Sequence, residues 1–270
     1  MAEGDTVHRT AGALQDALGG KTIVNVEVPS PRSPLRRQGR LAERLVGSRM
    51  TRAEARGKHL LLHFEGGLVL HSHLGLRGSW RLVAVGDAVA SDRRAWAVLA
   101  TDDAQAVELG GSRLVLRTEA EVRSDPRLRL LGPDVLARDF EAAAGVVALR
   151  RTDQSRPVGE ALLDQSVLAG IGNIYKSEAC WSARIDPWRP LSDLTEDELR
   201  GLVIEAAALM RYGLETGRTP SSIYRRAGQP CPRCGERIRA RGQGDASRTT
   251  YWCPSCQGRA RDNPGVGEDE

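Results

Sequence analysis

Two cysteine pairs, Cys231-Pro-Arg-Cys234 and Cys253-Pro-Ser-Cys256, stand eighteen residues apart near the end of the 270-residue chain. Pairs at this spacing suit four thiolates around one tetrahedral Zn2+, the closed geometry of a structural site. No coordination position stays open, so chemistry at the metal is not expected. The same constraint shapes the chain. Residues Gly235 to Tyr251 must turn back between the pairs, and their alternating pattern predicts a β-hairpin whose stability comes from the metal. Cys180 is left over and reads as a small buried apolar residue. Four paired cysteines with one free thiol fit a reducing compartment better than a disulfide framework.

The hairpin is also where the charge collects. The formal net charge is only +4, yet ten arginines and two acids, Glu236 and Asp245, lie between Arg218 and Arg261. A basic lobe of this kind suits a polyanionic partner. Lysine is scarce, occurring only as Lys21, Lys58 and Lys176. No apolar run is long enough to span a membrane and the N-terminus lacks a secretory signal, so a cytoplasmic protein without a membrane partner is expected.

Taken in order, the chain opens with a helix capped by Asp5 or Thr6, apolar at Val7, Ala11, Leu14 and Leu18, and stopped by Gly19-Gly20. A strand over Thr22 to Val28, a turn-rich loop from Pro29 to Arg40 and a short helix from Leu41 to Val46 follow. Strands are then expected at Met50–Ala55, His59–Phe64, Leu68–His73, Trp80–Val85, Ala95–Ala100, Ala106–Leu109 and Leu114–Arg117. Gly66-Gly67 marks one hairpin. Antiparallel strands at this density imply a sandwich or barrel. The character turns helical near Leu131-Gly132-Pro133-Asp134. Ala142–Arg151 has helical spacing, and Thr195-x-x-Glu198 is a capping box opening a helix through Leu214. The fold class is α+β and multidomain. A β-sandwich with flanking helices spans 1–130, a helical domain 131–225, a four-cysteine zinc hairpin 226–260 and a disordered tail 261–270. His59, His63, His71, His73, Trp181 and Trp188 read as structural.

Within the helical domain, Leu162 to Lys176 reads LLDQSVLAGIGNIYK. A helical run (Glu160 to Val167) meets a glycine turn (Leu168 to Gly172), and Asn173 is placed to cap a second helix. Gly170 and Gly172 permit positive φ and close approach. Free amides at that helix start make a natural anion site, with phosphate the expected anion.

Several pieces then occur together: Ala2-Glu3-Gly4-Asp5 running into a helix, Arg56-Gly57-Lys58-His59, Ser72-His73-Leu74-Gly75-Leu76, the Gln165–Lys176 turn, and Arg248-Thr249-Thr250-Tyr251-Trp252-Cys253. This combination, over nearly the whole chain from Ala2 to Gln257, resembles the formamidopyrimidine-DNA glycosylase/endonuclease VIII family of base-excision repair enzymes, its endonuclease VIII branch above all. The helical turn is then that family's helix–two-turns–helix motif. The resemblance implies a bifunctional glycosylase and AP lyase that excises oxidised bases, chiefly pyrimidines, from damaged duplex or bubble DNA. The enzyme would be a monomer with one structural Zn2+ on Cys231, Cys234, Cys253 and Cys256, working on bacterial nucleoid-associated DNA. The α-amine of residue 2 would attack C1′ and form a Schiff base, with Glu3 as acid/base and Lys58 reaching a phosphate or the damaged base. Arg248 would grip phosphate and assist δ-elimination. Leu76 would fill the gap left by the everted base, with Arg77 beside it. Arg129, Gln165, Gly172 and Asn173 would complete the DNA contacts.

One position departs from the family pattern. Residue 2 is Ala2, where the family carries proline. A primary amine also makes imines, but it lacks the fixed φ that aims proline's nitrogen. Three readings stay open: a working Ala2 nucleophile, a catalytically impaired protein that only binds damaged DNA, or an engineered change.

Overall fold

Helix α1 (Gly4–Leu18) buries Val7, Ala11, Leu14 and Leu18 on one face, as its spacing predicts. It begins before the expected caps, and Glu3 holds the cap position with its carbonyl accepting the Val7 N–H at 3.1 Å while its side chain makes no bond to the helix it precedes. The computed structural model describes residues 2–87, 89, 92–245 and 247–258, so the expected tail over 261–270 lies outside the described residues.

The next segment departs from expectation. Strand β1 covers only Asn25–Glu27, and Thr22 merely bridges to Arg49. The predicted Pro29–Arg40 loop and Leu41–Val46 helix merge into one 3-10 helix over Pro34–Leu45. Pro34 presets φ at its first position, and the Ser33 hydroxyl accepts the Leu35 N–H at 3.3 Å, so the helix starts earlier than a turn-rich composition suggests.

Strands β2 (Met50–Arg56), β3 (His59–Phe64), β4 (Leu68–His73), β5 (Ser79–Val83), β6 (Ala95–Ala100), β7 (Gln105–Leu109) and β8 (Arg113–Thr118) complete the β unit. They form two antiparallel four-stranded sheets, ordered β2-β3-β4-β8 and β1-β6-β7-β5. Leu60, Leu62, Phe64 and Leu70 face Ala97, Leu99 and Ala106 between the sheets, with α1 closing the core through Leu14 and Leu18. This is the expected sandwich. The reverse face of β3 and β4 is covered as well: Leu61 and Val69 pack on Val122 and Leu128 of α2 (Glu119–Ser124) and α3 (Pro126–Arg129). Burial on both faces explains why β3 reads as an almost continuous apolar run.

Helices α4 (Ala142–Arg151), α5 (Val158–Leu163), α6 (Asn173–Ser182) and α7 (Glu196–Thr216) build a second core around Leu149, Leu162, Ile171, Tyr175, Leu202 and Met210. The Thr195 capping box is present with both of its bonds. The predicted run to Val167 is cut short at Leu163, because the Asp164 carboxylate accepts the Ser166 N–H (2.9 Å) and hydroxyl (2.6 Å) and makes a turn there instead. The predicted cap also moves: Gly172 takes the cap position and Asn173 is the first helical residue. Hairpin β9 (Arg239–Gln243) and β10 (Arg248–Trp252), followed by α8 (Pro254–Gln257), completes the described chain. Among the described residues no helix is long and apolar enough to cross a membrane.

Helix α1 joins the two units. Its Arg9 guanidinium donates to the Gly213 carbonyl of α7 at 2.9 Å. Gly213 must be glycine for this approach, because a Cβ there would sit 2.0 Å from the Tyr175 hydroxyl and 2.9 Å from Asp5. Gly213→Ala should therefore cost about 1–3 kcal/mol by overpacking and lower the melting temperature by roughly 2–10 °C. Gly201→Ala, where an added methyl meets nothing within 4 Å, should leave the melt unchanged or raise it.

Candidate functional site

The centre of the site is a carboxylate at the start of a helix far away in sequence. Glu3 is 1% exposed. Its oxygens accept N–H bonds from Gly172 (3.0 Å), Ile174 (2.9 Å) and Tyr175 (3.3 Å), the free amides at the N-terminus of α6. The anion predicted for this helix start is therefore the chain's own Glu3. An external phosphate finds these amides already used.

Two glycines make the fit possible, for different reasons. Gly170 has φ +98, a conformation that L side chains rarely adopt, and its carbonyl accepts the Gly4 N–H at 3.0 Å. Gly172 has ordinary extended φ, but a Cβ there would lie 2.3 Å from the Glu3 carboxyl carbon. Gln165 braces the turn: its amide donates to Leu163 O (2.9 Å) and Ile171 O (3.0 Å) and accepts the Gly170 N–H (3.1 Å). The polar groups of Gln165 and Gly172 are thus engaged inside the protein. Both residues thus help to hold Glu3 in place.

Lys58, in the turn between β2 and β3, reaches across to the same feature and donates to Ile171 O at 2.6 Å. Burial lowers its pKa to about 8, opposed by the nearby Glu3 charge. The Glu3 pKa is raised, chiefly by burial, with Lys58 and the helix amides pulling the other way. A buried carboxyl that can hold a proton thus lies near an amine that can lose one, both in reach of the chain's start. Beside them Asp134 accepts the Gly57 N–H (2.6 Å) and the Leu136 N–H (3.0 Å) and lies 3.0 Å from His8 Nε2. One side chain thus pins the Lys58 turn, α1 and the helical unit together.

The remaining predicted residues surround this centre. Ala2 packs on the sandwich core, and its N–H donates to the Gly75 carbonyl at 3.3 Å. Leu76 stands 67% exposed at the tip of the β4–β5 loop, beside exposed Arg77. Arg129 is exposed at the end of α3. Arg248 is exposed at the start of β10, a strand docked on α6. Asn173 makes that dock, its amide donating to Thr249 O at 2.7 Å, so in this structure it sets the strand carrying Arg248 instead of pointing outward.

Three residues escaped the sequence reading. Lys176 is fully buried and has no carboxylate partner among the described residues; its ammonium contacts the Thr250 hydroxyl and lies 3.5 Å from Gln243 Oε1, tying the hairpin to α6. Burial lowers its pKa to about 8. Glu178, also buried, accepts the Ser222, Ile223 and Tyr224 N–H groups at 2.8–3.0 Å. Asp134 is the third. For Lys176 and Glu178 the signal lies in Ile174, Tyr175, Ala179 and Cys180 around them, a helix composition that buries its charged members against partners.

The four cysteine Sγ atoms of the hairpin lie within 4.8 Å of one another. Individual separations of 3.4–3.8 Å match the edge of about 3.8 Å for a tetrahedron with Zn–S bonds of about 2.3 Å. The donor set therefore fits one structural Zn2+. Trp181 Nε1–H points at Cys231 Sγ at 3.4 Å, and the Arg233 guanidinium stacks over the Trp181 ring at 4.1 Å, joining the thiolate cluster to α6.

Comparison with known proteins gives matches over nearly the whole chain. Residues 1–129 match the formamidopyrimidine-DNA glycosylase N-terminal domain, residues 131–225 the formamidopyrimidine-DNA glycosylase H2TH domain, and residues 228–258 the zinc finger found in FPG and IleRS. The chain is 39% identical to the probable endonuclease 8 2 of Streptomyces coelicolor, over 98% of this chain and 97% of that one. It is 36% identical to the DNA-(apurinic or apyrimidinic site) lyase Nei2 of Mycolicibacterium smegmatis, over 95% and 99%. Its fold superposes on that of Lactococcus lactis Fpg in complex with abasic-site DNA with a TM-score of 0.81, at 25% identity over 96% and 100% of the two chains. The chain belongs to the formamidopyrimidine-DNA glycosylase/endonuclease VIII family.

Elemental analysis should find one zinc per chain. Cys234→Ser should lose it, together with the protection of the β9–β10 amides from hydrogen exchange, while the exchange of the β-sandwich stays unchanged.

Proposed function

We propose that this family member is a base-excision repair DNA glycosylase with AP lyase activity, acting on oxidised bases and on pyrimidines above all. The observation that carries the reading is the Glu3 carboxylate, locked by three amides of α6 one residue away from the chain's second nitrogen. End-to-end similarity to proteins named endonuclease 8 and AP-site lyase supports the same reaction, and nothing in those relatives favours an impaired lesion binder.

In this reading removal of Met1 frees the Ala2 amine; α-amines as a class, with pKa values of about 7.7–8.0, keep a useful neutral fraction at physiological pH. Its lone pair bonds to C1′ of the damaged nucleoside. The base leaves with the glycosidic electron pair and takes up the proton that the amine sheds. Glu3, whose burial favours the protonated carboxyl, gives its proton to O4′ as the C1′–O4′ bond opens. The nitrogen lone pair closes the C=N bond, giving an iminium with one remaining N–H. Loss of a C2′ proton then expels the 3′ phosphate oxygen, and loss of a C4′ proton expels the 5′ phosphate.

The base must leave the duplex before C1′ can be reached. Leu76, exposed on its loop, is suited to fill the gap, with Arg77 facing the unpaired strand. Lys58, Arg129 and Arg248 supply cationic groups for phosphates, and Asn173 sets the position of Arg248. Gln165 and Gly172 act by holding Glu3. The protein acts as a monomer in the cytoplasm, on duplex or bubble DNA of the nucleoid. The sandwich (1–130), the helix–two-turns–helix unit (131–225) and the zinc hairpin (226–260) are its working divisions.

Borohydride trapping on an abasic-site duplex tests the reading. A covalent adduct on the peptide beginning at Ala2 is expected, and binding without any adduct would leave only a lesion-binding protein. Glu3→Gln should slow excision of an oxidised pyrimidine by about 100-fold or more. Strand cleavage should fall as pH rises through about 8, where Lys58 loses its charge, and Lys58→Arg should remove that part of the fall.

A further inference from the structure

The loop that carries Leu76 and the residue that would carry the nucleophile touch each other. The Ala2 N–H, here the peptide N–H of the Met1–Ala2 bond, donates to the carbonyl oxygen of Gly75, the residue immediately before Leu76, at 3.3 Å, so removal of Met1 would leave a hydrogen of the new amine facing the same oxygen. The Ala2 methyl lies against the sandwich core, so the nitrogen is held from both sides.

That carbonyl is not free to swing. Gly75 sits at φ +61, and a Cβ on it would meet Ser112 Cβ at 3.1 Å and Oγ at 3.2 Å. On the other side of the loop, the Ser112 N–H donates to His73 O at 2.8 Å, and the Ser112 hydroxyl lies 2.7 Å from His73 Nδ1. Gly78 N–H closes the turn onto Leu74 O at 2.9 Å, and a Cβ at Gly78 would strike Gly111 Cα at 2.7 Å. The wedge loop is therefore clamped to the β7–β8 turn, and its Gly75 carbonyl is aimed at residue 2.

We propose that the Gly75 carbonyl, held by this clamp, orients the α-amine of Ala2 for attack, so that the nucleophile is aimed by the same loop that carries the Leu76 wedge. The inference rests on the reading of the residue-2 amine as nucleophile. Proline needs no such help, because its ring fixes the direction of its nitrogen. A primary amine rotates freely about its Cα–N bond. When neutral it has two hydrogens: one given to Gly75 O restricts the rotation to two staggered settings, both with the lone pair directed away from the carbonyl. The missing ring constraint is thus replaced by a hydrogen bond to the loop. Seating the wedge in DNA and aiming the nucleophile become one event. Gly75 is in this sense a positioning residue, acting through the Ala2 nitrogen.

The test is the single-turnover rate of borohydride-trapped adduct on an abasic-site duplex, measured for the chain as given, Gly75→Ala, Ala2→Pro and the double variant. Binding to a tetrahydrofuran-containing duplex is measured alongside, and adducts are mapped by peptide mass. Any damage that Gly75→Ala does to the wedge itself is common to both backgrounds. The expected result is a fall of about 10- to 100-fold when Ala2 is the nucleophile. With proline at residue 2 the fall should be within about threefold. Ser112→Ala, which loosens the clamp without backbone strain, should show the same asymmetry in weaker form and keeps the test alive if Gly75→Ala does not fold. Equal losses in both backgrounds, or no loss in either, would overturn the inference while leaving the nucleophile in place. A mapped adduct absent from residue 2 in every variant would overturn the nucleophile reading, and this inference with it.

Discussion

The interaction on which the rest of the molecule depends is the seating of the Glu3 carboxylate on the amides of α6. It satisfies three N–H groups that a buried helix start would otherwise leave unpaired, and it fixes the protonatable oxygen of the site by backbone instead of by flexible side chains. Everything nearby is shaped to permit it. Gly172 lacks the methyl that would collide with the carboxyl, Gly170 turns the chain, Gln165 braces the turn and Gly4 bonds to Gly170 O. The opposing pulls on Glu3, burial against Lys58 and the amides, keep one carboxyl able to serve in either protonation state.

Helix α6 then acts as the hub. Its first turn holds Glu3 of the β-sandwich, Asn173 and Lys176 hold β10 of the zinc hairpin, and Glu178 caps the backbone of residues 222–224 leading into that hairpin. Glu3 and Glu178 use the same device, a buried carboxylate crossed by three backbone amides. Three regions distant in sequence are thereby referred to one rigid ten-residue element. The distance from the proton-holding carboxyl to the arginine strand is set by helix geometry, and loop flexibility has little part in it.

Local patterns carried much of this. The short apolar runs and glycine turns of the sandwich, the Thr195 capping box and the cysteine spacing each depend on neighbours close in sequence, and the structure follows them. Most of the failures trace to contacts between distant segments. Asn173 has the chemistry of a cap, but a carboxylate from the other end of the chain had already taken the amides. Gln165 and Gly172 look like ligand-facing polar groups in a glycine turn, yet their partners are Leu163, Ile171 and Glu3. Asp134 gives no local sign of joining His8 to Gly57. The Pro29–Leu45 region was misread because Ser33 and Pro34 start a 3-10 helix inside what composition marks as loop. The sequence names Glu3, Lys58, Gln165, Gly172 and Asn173, and contacts between distant segments bring them together and decide which of them face outward.

The Glu3–α6 bond also orders the events of synthesis. The two partners are separated by about 170 residues, so no nascent chain can assemble the centre until the helical unit has left the ribosome. The sandwich can close around Leu14 and Leu60 much earlier, carrying its amino end and Lys58 into position with no carboxyl fixed beside them. A chain interrupted partway would own the fold of the first domain but not a finished centre. Capacity to break a DNA strand is thus acquired last, in the same step that joins the two halves of the protein.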